Sequence, residues 1–276
     1  MSMETMTDAD LNIEEMIEGS DINAKTVVVK YGSSCLVDDE GISTERIGEY
    51  AQRIRRLSIQ RNVIIVTSGA VAVGRRHWEE YDPWGDTVDY QVLAAMGSAG
   101  IAEAWRVALK REGLLSGQVL VTHPELKTKE AARLQAWYEK MKSYGIPVIN
   151  QNDALVRKKD RGNELDKLEV GADNDWLAAD VADLLGAQAL ILCTNGVDGM
   201  LVDGMVQHEV HASDIPSLRE HCYNSDEEGT GGMDSKLEAA AWWVGQADAN
   251  EAYICNARAN QEAVLQGHRI GTQVLK

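Results

Sequence analysis

Short apolar runs alternate along the chain with longer stretches in which apolar residues recur every three or four positions. The runs are rich in valine and isoleucine and lack a polar face, which is typical of buried parallel strands. They lie at Val27–Lys30, Asn62–Thr67, Gln118–Thr122, Ile146–Asn150, Ala189–Thr194 and Tyr253–Cys255. The stretches between them predict helices after Ser43, after Gly69, and near residues 89–112, 128–144, 174–186 and 234–247.

Buried strands separated by helices predict an α/β fold, with a mostly parallel sheet and helices on both of its faces. In such a sheet, ligands bind beyond the carboxyl ends of the strands. The polar motifs of this chain follow the predicted strands, so we expect them to meet at one edge of the sheet. Residues 1–24 carry seven acidic residues and no basic one, and we expect them to form a loose tail.

The charge balance limits the possible partners. The 276 residues carry a formal net charge of −17, which would repel nucleic acids and anionic membranes. No apolar stretch approaches the roughly 18 residues of a membrane span, and the acidic N-terminus does not resemble a signal peptide. The four cysteines lie far apart without a C-x-x-C pair, so we expect a cytoplasmic protein with neither a disulfide framework nor a zinc site.

Two lysines beside small residues are the strongest candidates for chemistry. Lys30 ends the first strand and leads into Gly32, Ser33 and Ser34, while Lys236 follows the glycine-rich run Gly229–Ser235 at the start of a helix. Glycines let the backbone approach a phosphate, and a lysine adds a positive charge. Neither segment has the P-loop spacing. We interpret the lysines as one cation for each end of a transferred phosphoryl group, the alternatives being a surface lysine and a flexible linker.

Two further strand ends carry polar or small residues. Ser68-Gly69 follows the second strand and can expose backbone N–H groups to an anion, although a tight turn without a ligand is an alternative. Asn150–Asp153 places four polar side chains after a buried strand. This arrangement predicts a cradle for a polar substrate that bears an amine, with an Asx turn as the alternative.

The pair Asp173 and Asp175 opens the helix near residues 174–186. One of the two can serve as an N-cap. The other can hold two lysines apart and in register, or help to bind magnesium. The histidines show no metal-ligand spacing, and for His123, which lies at a strand end, we favour a turn or packing role.

Taken in order, these motifs resemble the amino acid kinase family, and within it the branch that phosphorylates glutamate. The resemblance also includes Gln91–Gly97, Gln118–Thr122 and Pro147–Asp153, and its most specific motif is the GTGGM-x-[ST]-K pattern of Gly229–Lys236. It covers roughly residues 25–275. It implies a three-layer α/β/α sandwich with an open, mostly parallel sheet, and a single domain over residues 25–276.

The resemblance implies ATP-dependent phosphorylation of the γ-carboxylate of L-glutamate, the reaction that begins proline synthesis. Magnesium would be held mainly by the nucleotide phosphates and not by a metal site of the protein. By position, Lys30 and Lys236 match the lysines that neutralise the phosphoryl group in transit. Gly32 and Gly69 match its backbone donors, and Asp175 matches the aspartate that orients the two lysines.

The remaining site residues implied by the resemblance fall into two groups. The residues that bind the amino acid are Ser68, Asn150, Asp153 and Asn174. The residues that bind the nucleotide are Ser33, Thr194, Asn195, Thr230, Gly231, Gly232, Met233 and Lys236. The resemblance also implies a homo-oligomer, a downstream γ-glutamyl phosphate reductase as a possible partner, and feedback inhibition by proline.

Several segments depart from the family pattern. Thr194–Gly199 is one residue longer than the usual nucleotide segment, Gln151 replaces a common glutamate, and Tyr90 and Ser98 replace the usual lysine and glutamine. Arg157–Glu169, which we expect to be an exposed hairpin or flap, is longer than usual. These changes keep two alternatives open: the same chemistry on a related amino acid or glutamate analogue, and a sensor that binds without turnover. We expect the chain to lack the RNA-binding-like PUA domain that follows many members of this branch.

Overall fold

The computed structural model describes residues 24–82, 88–155, 173–218 and 232–276. The predicted tail over residues 1–24 lies almost wholly outside these ranges, and so does the predicted flap at Arg157–Glu169. The strands are β1 (Thr26–Tyr31), β2 (Val37–Asp38), β3 (Gly41–Ile42), β4 (Asn62–Val66), β5 (Ser116–Val121), β6 (Ile146–Gln151), β7 (Ala189–Thr194), β8 (Leu201–Val202), β9 (Met205–Val206), β10 (Glu209–His211), β11 (Glu251–Asn256) and β12 (Thr272–Leu275).

The helices follow the strands in the alternation that the sequence predicts. They are α1 (Ser33–Leu36), α2 (Thr44–Leu57), α3 (Ala70–Tyr81), α4 (Tyr90–Arg111), α5 (His123–Leu126), α6 (Ala131–Met141), α7 (Asn174–Leu184), α8 (Ile215–Leu218), α9 (Gly232–Gln246) and α10 (Gln261–Leu265), with a 3₁₀ turn at Ala212–Asp214.

Eight strands of the described residues form one sheet, in the order β10-β12-β11-β7-β1-β4-β6-β5. The six strands from β11 to β5 run parallel. Strand β12 runs antiparallel to β11, and β10 runs parallel to β12. The predicted mostly parallel sheet is therefore confirmed, and the carboxyl ends of β1, β4, β6 and β7 lie at one edge.

Each face of the sheet is covered by its own hydrophobic core. On β1, Val27, Val29 and Tyr31 pack into one core with α2 and α4, while Val28 packs into the other with α7 and α9. Because alternate side chains of a strand point to opposite faces, Lys30 shares the face of Val28. This parity gives the lysine access to the N-termini of α7 and α9, and helices on both faces complete the three-layer sandwich.

The expectation that no apolar stretch approaches the length of a membrane span is wrong for helix α4. Its 22 residues are long and apolar enough, by length and composition alone, to cross a membrane. Such a helix is weak evidence for a span, because core helices of soluble proteins pass the same test. Here Ile101, Trp105 and Leu109 are buried in the core shared with β1, as in a core helix.

Candidate active site

Two lysines from distant parts of the chain meet on one aspartate at the carboxyl edge of the sheet. The ammonium of Lys30 lies 2.6 Å from Oδ1 of Asp175, and that of Lys236 lies 3.1 Å from Oδ2. The three side chains are only 4%, 10% and 1% exposed for Lys30, Lys236 and Asp175, respectively. Each carboxylate oxygen is thus engaged by one cation, and the group carries a net positive charge inside the protein.

The start of α7 positions Asp175. The side chain of Asp173 caps this helix by accepting hydrogen bonds from the backbone N–H groups of Asp175 and Trp176. Asp173 also accepts a hydrogen bond from the hydroxyl of Ser235, in the first turn of α9. The N-termini of α7 and α9 are therefore tied together, which brings Asp175 and Lys236 to the same place. Asp173 has the N-cap role considered for one of the two aspartates.

Burial and neighbouring charges shift the pKa values of Asp175 and Lys236 in opposite directions. Burial alone would raise the pKa of Asp175, but the charges of Lys236 and Lys30, with their hydrogen bonds, outweigh it and lower that pKa. Burial would likewise lower the pKa of Lys236, but the carboxylate of Asp175 outweighs it and raises that pKa. We infer that Asp175 stays ionised and Lys236 stays protonated at neutral pH.

Two glycines lie at neighbouring strand ends. Gly32 follows β1, and a Cβ placed there would lie 3.5 Å from the ammonium of Lys30. Gly69 precedes α3 with a φ of +96°, in the left-handed region, and a Cβ there would lie 3.2 Å from side-chain atoms of Val37 and Ile101. The first glycine leaves space beside the ammonium of Lys30, and the second allows a tight turn.

The polar residues near the ends of β4 and β6 and at the start of α7 include buried atoms without hydrogen-bond partners. The side-chain amide of Asn174 donates to the hydroxyl of Ser68 at 2.9 Å. Within the described residues, neither Oδ1 of Asn174 nor Nδ2 of Asn150 has a hydrogen-bond partner, although both atoms are buried. Buried polar groups are normally paired, so an unmet acceptor and an unmet donor indicate a place for a polar ligand.

Asp153 lies in a partly buried corner beside a tyrosine. The hydroxyl of Tyr90 donates to Oδ1 of Asp153 at a long 3.5 Å. Burial raises the pKa of Asp153 to about 6, although the Tyr90 hydrogen bond and the charge of His123 lower it. Burial and the charge of Asp153 raise the pKa of Tyr90. The contact shows that Tyr90, one of the departures from the family pattern, belongs to the surroundings of Asp153.

One polar pair near this corner was not expected from the sequence. The ring nitrogen Nδ1 of His123 lies 2.8 Å from Oδ2 of Asp180, a buried carboxylate on α7. The packing role that we favoured for His123 had not included a buried acidic partner. Asp180 is acidic within an otherwise largely apolar helix, which is the signal that could have identified it.

The residues expected at the nucleotide are only partly described. Thr230 and Gly231 lie outside the described ranges, while Gly232 and Met233 open α9 and are partly buried. Ser33 opens α1 directly after Gly32. The hydroxyl of Thr194, at the end of β7, donates to the backbone carbonyl of Val197. Asn195 is exposed in the same turn.

Fold and site define an α/β/α protein in which two buried lysines converge on one aspartate beyond the carboxyl ends of a parallel sheet. Residues 25–256 match the amino acid kinase family, and the chain belongs to this family.

The chain is similar to curated proteins along nearly its whole length. Glutamate 5-kinase of Chromohalobacter salexigens is 33% identical over 268 residues, which cover 91% of this chain and 67% of that protein. Glutamate 5-kinase of Nocardia farcinica is 33% identical over 261 residues, with the same two coverages of 91% and 67%. The chain thus spans about two thirds of the length of these relatives.

Solved structures share the fold at much lower identity. Carbamate kinase from Giardia lamblia bound to AMP-PNP superposes with a TM-score of 0.65 at 15% identity, covering 93% of this chain and 100% of that one. UMP kinase from Bacillus anthracis gives a TM-score of 0.59 at 15% identity, covering 91% and 96%. These similarities concern the fold alone, and they confirm the predicted α/β/α sandwich.

Proposed function

We propose that this chain transfers the γ-phosphoryl group of ATP to the side-chain carboxylate of L-glutamate and so starts proline synthesis. The observation that carries the proposal is the buried Lys30–Asp175–Lys236 group in a chain that is 33% identical to glutamate 5-kinases. The bond between the γ-phosphorus and the β,γ-bridging oxygen breaks, and a bond from a glutamate oxygen to phosphorus forms. ADP and γ-glutamyl phosphate are the products.

This reaction needs charge neutralisation more than proton transfer. A carboxylate is ionised at neutral pH and needs no general base, so catalysis reduces to positioning and electrostatic stabilisation. Lys30 and Lys236 supply two cations, and Asp175 fixes both ammoniums between its two oxygens. Gly32 and Gly69 supply backbone N–H groups to the phosphoryl oxygens from the ends of β1 and β4.

The acceptor lies beyond β4 and β6 in this proposal. Ser68 and Asn174 are joined by a hydrogen bond, and the unmet buried groups of Asn150 and Asn174 suit a zwitterionic amino acid. Asp153 takes the ammonium group. The γ-carboxylate then points towards β1 and the two lysines.

The nucleotide lies on the other side of the lysines in this proposal, near the ends of β1 and β7 and the start of α9. Its proposed contacts come from Ser33, Thr194, Asn195 and the loop from Thr230 to Lys236. Magnesium is the metal that the fold family implies. The described residues contain no cluster of three His, Cys, Asp or Glu side chains that could hold a metal ion. Both oxygens of Asp175 are also engaged by lysines, so the nucleotide phosphates would hold Mg²⁺ and its charge would assist the leaving ADP.

The test is ADP release that depends on both ATP and L-glutamate, with the acyl phosphate trapped as a hydroxamate by hydroxylamine. We expect turnover in the unmodified chain and a loss of about 10³-fold or more in Lys30→Met and in Lys236→Met. Lys110→Met is the matched control, because Lys110 is an exposed lysine at the end of α4. A folded protein that releases no ADP with glutamate contradicts the proposal.

A related acceptor is the second candidate, and the contact of Tyr90 with Asp153 favours it. A tyrosine there changes the surroundings of the carboxylate proposed to bind the amino acid. A panel of aspartate, 2-aminoadipate and N-acetylglutamate in the same assay separates the candidates by their kcat/KM values.

A sensor without turnover has less support, because Lys30, Asp175 and Lys236 are all retained and in contact. Calorimetric binding of ATP and glutamate without any ADP release would favour the sensor.

We further propose that the protein is a cytoplasmic homo-oligomer and that proline inhibits it. Its product, the acyl phosphate, would be the substrate of a downstream reductase. Light scattering tests the assembly, and an unchanged rate at high proline would contradict the inhibition.

A further inference from the structure

The pair His123 and Asp180 joins the end of β5 to the helix that carries Asp175. Nδ1 of His123 lies 2.8 Å from Oδ2 of Asp180, and the ammonium of Lys127 lies 3.7 Å from the same oxygen. A carboxylate bonded to one ring nitrogen fixes the tautomer and the orientation of the ring. The proton on Nδ1 is thus held by Asp180, and Nε2 remains for another partner.

The second ring nitrogen lacks such a partner. Nε2 of His123 is buried, and no described residue offers it a hydrogen bond. A buried polar atom without a partner requires an explanation, and a ligand group is one that fits a site at the carboxyl edge of a parallel sheet.

The position of His123 relates it to the proposed acceptor site. Strands β5 and β6 pair in parallel with Val121 opposite Gln151, and the backbone N–H of Asn152 donates to the carbonyl of Val121 at 2.7 Å. His123 and Asp153 therefore follow neighbouring strand ends, and the charge of His123 lowers the pKa of Asp153 against the larger effect of burial.

The order of the strands indicates how the acceptor amino acid would be oriented in the proposed site. Strand β6 is two places from β1, and at about 4.8 Å per strand this separation is roughly 10 Å. An extended five-carbon diacid with one carboxylate near the lysines has its α-carbon end towards β6. An amino acid has both an ammonium and a carboxylate at that end, and Asp153 can satisfy only the first.

We propose that His123, oriented by Asp180, is a specificity-determining residue that binds the α-carboxylate of the acceptor amino acid through Nε2. A protonated imidazole donates from both nitrogens, so Nδ1 serves Asp180 while Nε2–H serves the substrate. This inference rests on the proposed function. If the His123–Asp180 pair only linked α5 to α7, its loss would affect all acceptors equally.

The experiment compares L-glutamate with its α-amide, isoglutamine, which keeps the γ-carboxylate but has no charge at the α-carboxyl. We expect the unmodified chain to prefer glutamate by about 10-fold or more in kcat/KM, as a charge-assisted hydrogen bond gives. His123→Gln should remove most of this preference, mainly through a higher KM for glutamate. The kcat/KM for isoglutamine should change less than about threefold. Asp180→Asn should reduce the preference in part, because the ring loses its orienting partner.

His208→Gln is the matched control, because Nδ1 of His208 faces the backbone carbonyl of Gly271. His208 directly precedes β10, which lies at the opposite end of the strand order from β5. It should leave both acceptors unaffected. Equal losses for both acceptors in His123→Gln, or a preference below about threefold in the unmodified chain, overturn the inference; the second result does not depend on any variant folding. If the unmodified chain does not use glutamate at all, the proposed function and this inference fall together. An active enzyme with an unchanged preference removes only the inference.

Discussion

Gly32 leaves space beside the buried ammonium of Lys30, since a Cβ at position 32 would lie 3.5 Å from Nζ. The backbone at Gly32 has φ −72° and ψ 167°, which other residues adopt without strain. Glycine is therefore not required by the turn itself. Its value lies in the access that it gives to the lysine.

Gly32→Ala should lower activity without lowering stability. In the proposed reaction a phosphoryl oxygen approaches Lys30 at the place that the added methyl group would occupy, and small displacements of reacting groups cost on the order of 10–100-fold in rate. We expect kcat to fall by this amount while the melting temperature stays within about 1 °C of the unmodified value, as for a substitution without strain. ADP release and thermal unfolding measure the two quantities.

Gly69→Ala provides the contrast. The φ of +96° disfavours any residue with a Cβ, and the new methyl would lie 3.2 Å from Val37 and Ile101. We expect a loss of about 1–3 kcal/mol in the free energy of unfolding together with the loss of activity. Equal stability losses in the two variants would contradict our interpretation of Gly32.

Asp175→Asn should destabilise the protein strongly at neutral pH. The substitution leaves two buried ammoniums next to each other without a carboxylate, and breaking a buried ion pair in this way costs about 3–5 kcal/mol. Lys30→Met should cost much less stability, because Asp175 keeps its 3.1 Å contact with Lys236. Adding Lys30→Met to Asp175→Asn should restore part of the stability, whereas strictly additive losses would contradict this explanation.

The contribution of Asp175 to the stability of the folded protein should be lost at low pH. The pKa of Asp175 is lower in the folded protein than in the unfolded chain. The folded state therefore gains stability from Asp175 above about pH 4, and it loses this gain as the pH falls through the depressed pKa. Urea unfolding at several pH values should show a constant gap between the unmodified chain and Asp175→Asn at pH 5–8, and a shrinking gap below pH 4.

The six predicted strands could be found from the sequence because each contains a short run rich in apolar residues. Five of them are mostly buried, whereas β5 is an edge strand in which Val121 is buried and Leu120 is exposed. The predicted strand Ala189–Thr194 has the same bounds as β7. The predicted strand Asn62–Thr67 is one residue longer than β4, which ends at Val66. Strand β12 was missed, since Gln273 and Leu275 are only partly buried and the strand pairs antiparallel beyond β11. The predicted helix at residues 128–144 is shorter in the structure, as α6 begins at Ala131 and ends at Met141.

The site was partly predictable for a similar reason. Lys30 and Lys236 stand beside small residues at element ends, a local pattern that sequence displays. The contact between His123 and Asp180 is different, because it depends on how α5 packs against α7. Its residues lie far apart in the chain and neither belongs to a motif. Pairings of this kind follow from the assembled fold and not from local spacing.

Thr67→Val should destabilise the core beneath the Ser68-Gly69 turn. The indole N–H of Trp105 donates to the hydroxyl of Thr67 at 2.9 Å, and both residues are fully buried. Valine has nearly the same shape but leaves the indole N–H unpaired, which costs about 1–3 kcal/mol. Denaturant unfolding measures this loss. Thr67→Ser keeps the hydroxyl, so a loss as large as that of valine would show that packing and not the hydrogen bond is responsible.

Asp153→Asn should stabilise the protein and weaken the binding of the acceptor amino acid. Burial raises the pKa of Asp153 to about 6, above its value in the unfolded chain. The unfolded chain therefore loses this proton first, and stability falls as the pH rises from about 4 to about 6. Asparagine avoids this cost, so we expect a gain on the order of 1–2 kcal/mol at pH 7 that disappears near pH 4.

Activity should move in the opposite direction, because ionised Asp153 is proposed to bind the ammonium of glutamate. In the unmodified chain, KM for glutamate should rise as the pH falls below about 6, where Asp153 takes up its proton. In Asp153→Asn, KM should be raised by about 10-fold or more at pH 7, the loss expected for a charge-assisted hydrogen bond, and should change little between pH 5 and 7. Initial rates at several glutamate concentrations and pH values test this. A KM in the variant that keeps the pH dependence of the unmodified chain would assign the titration to another group.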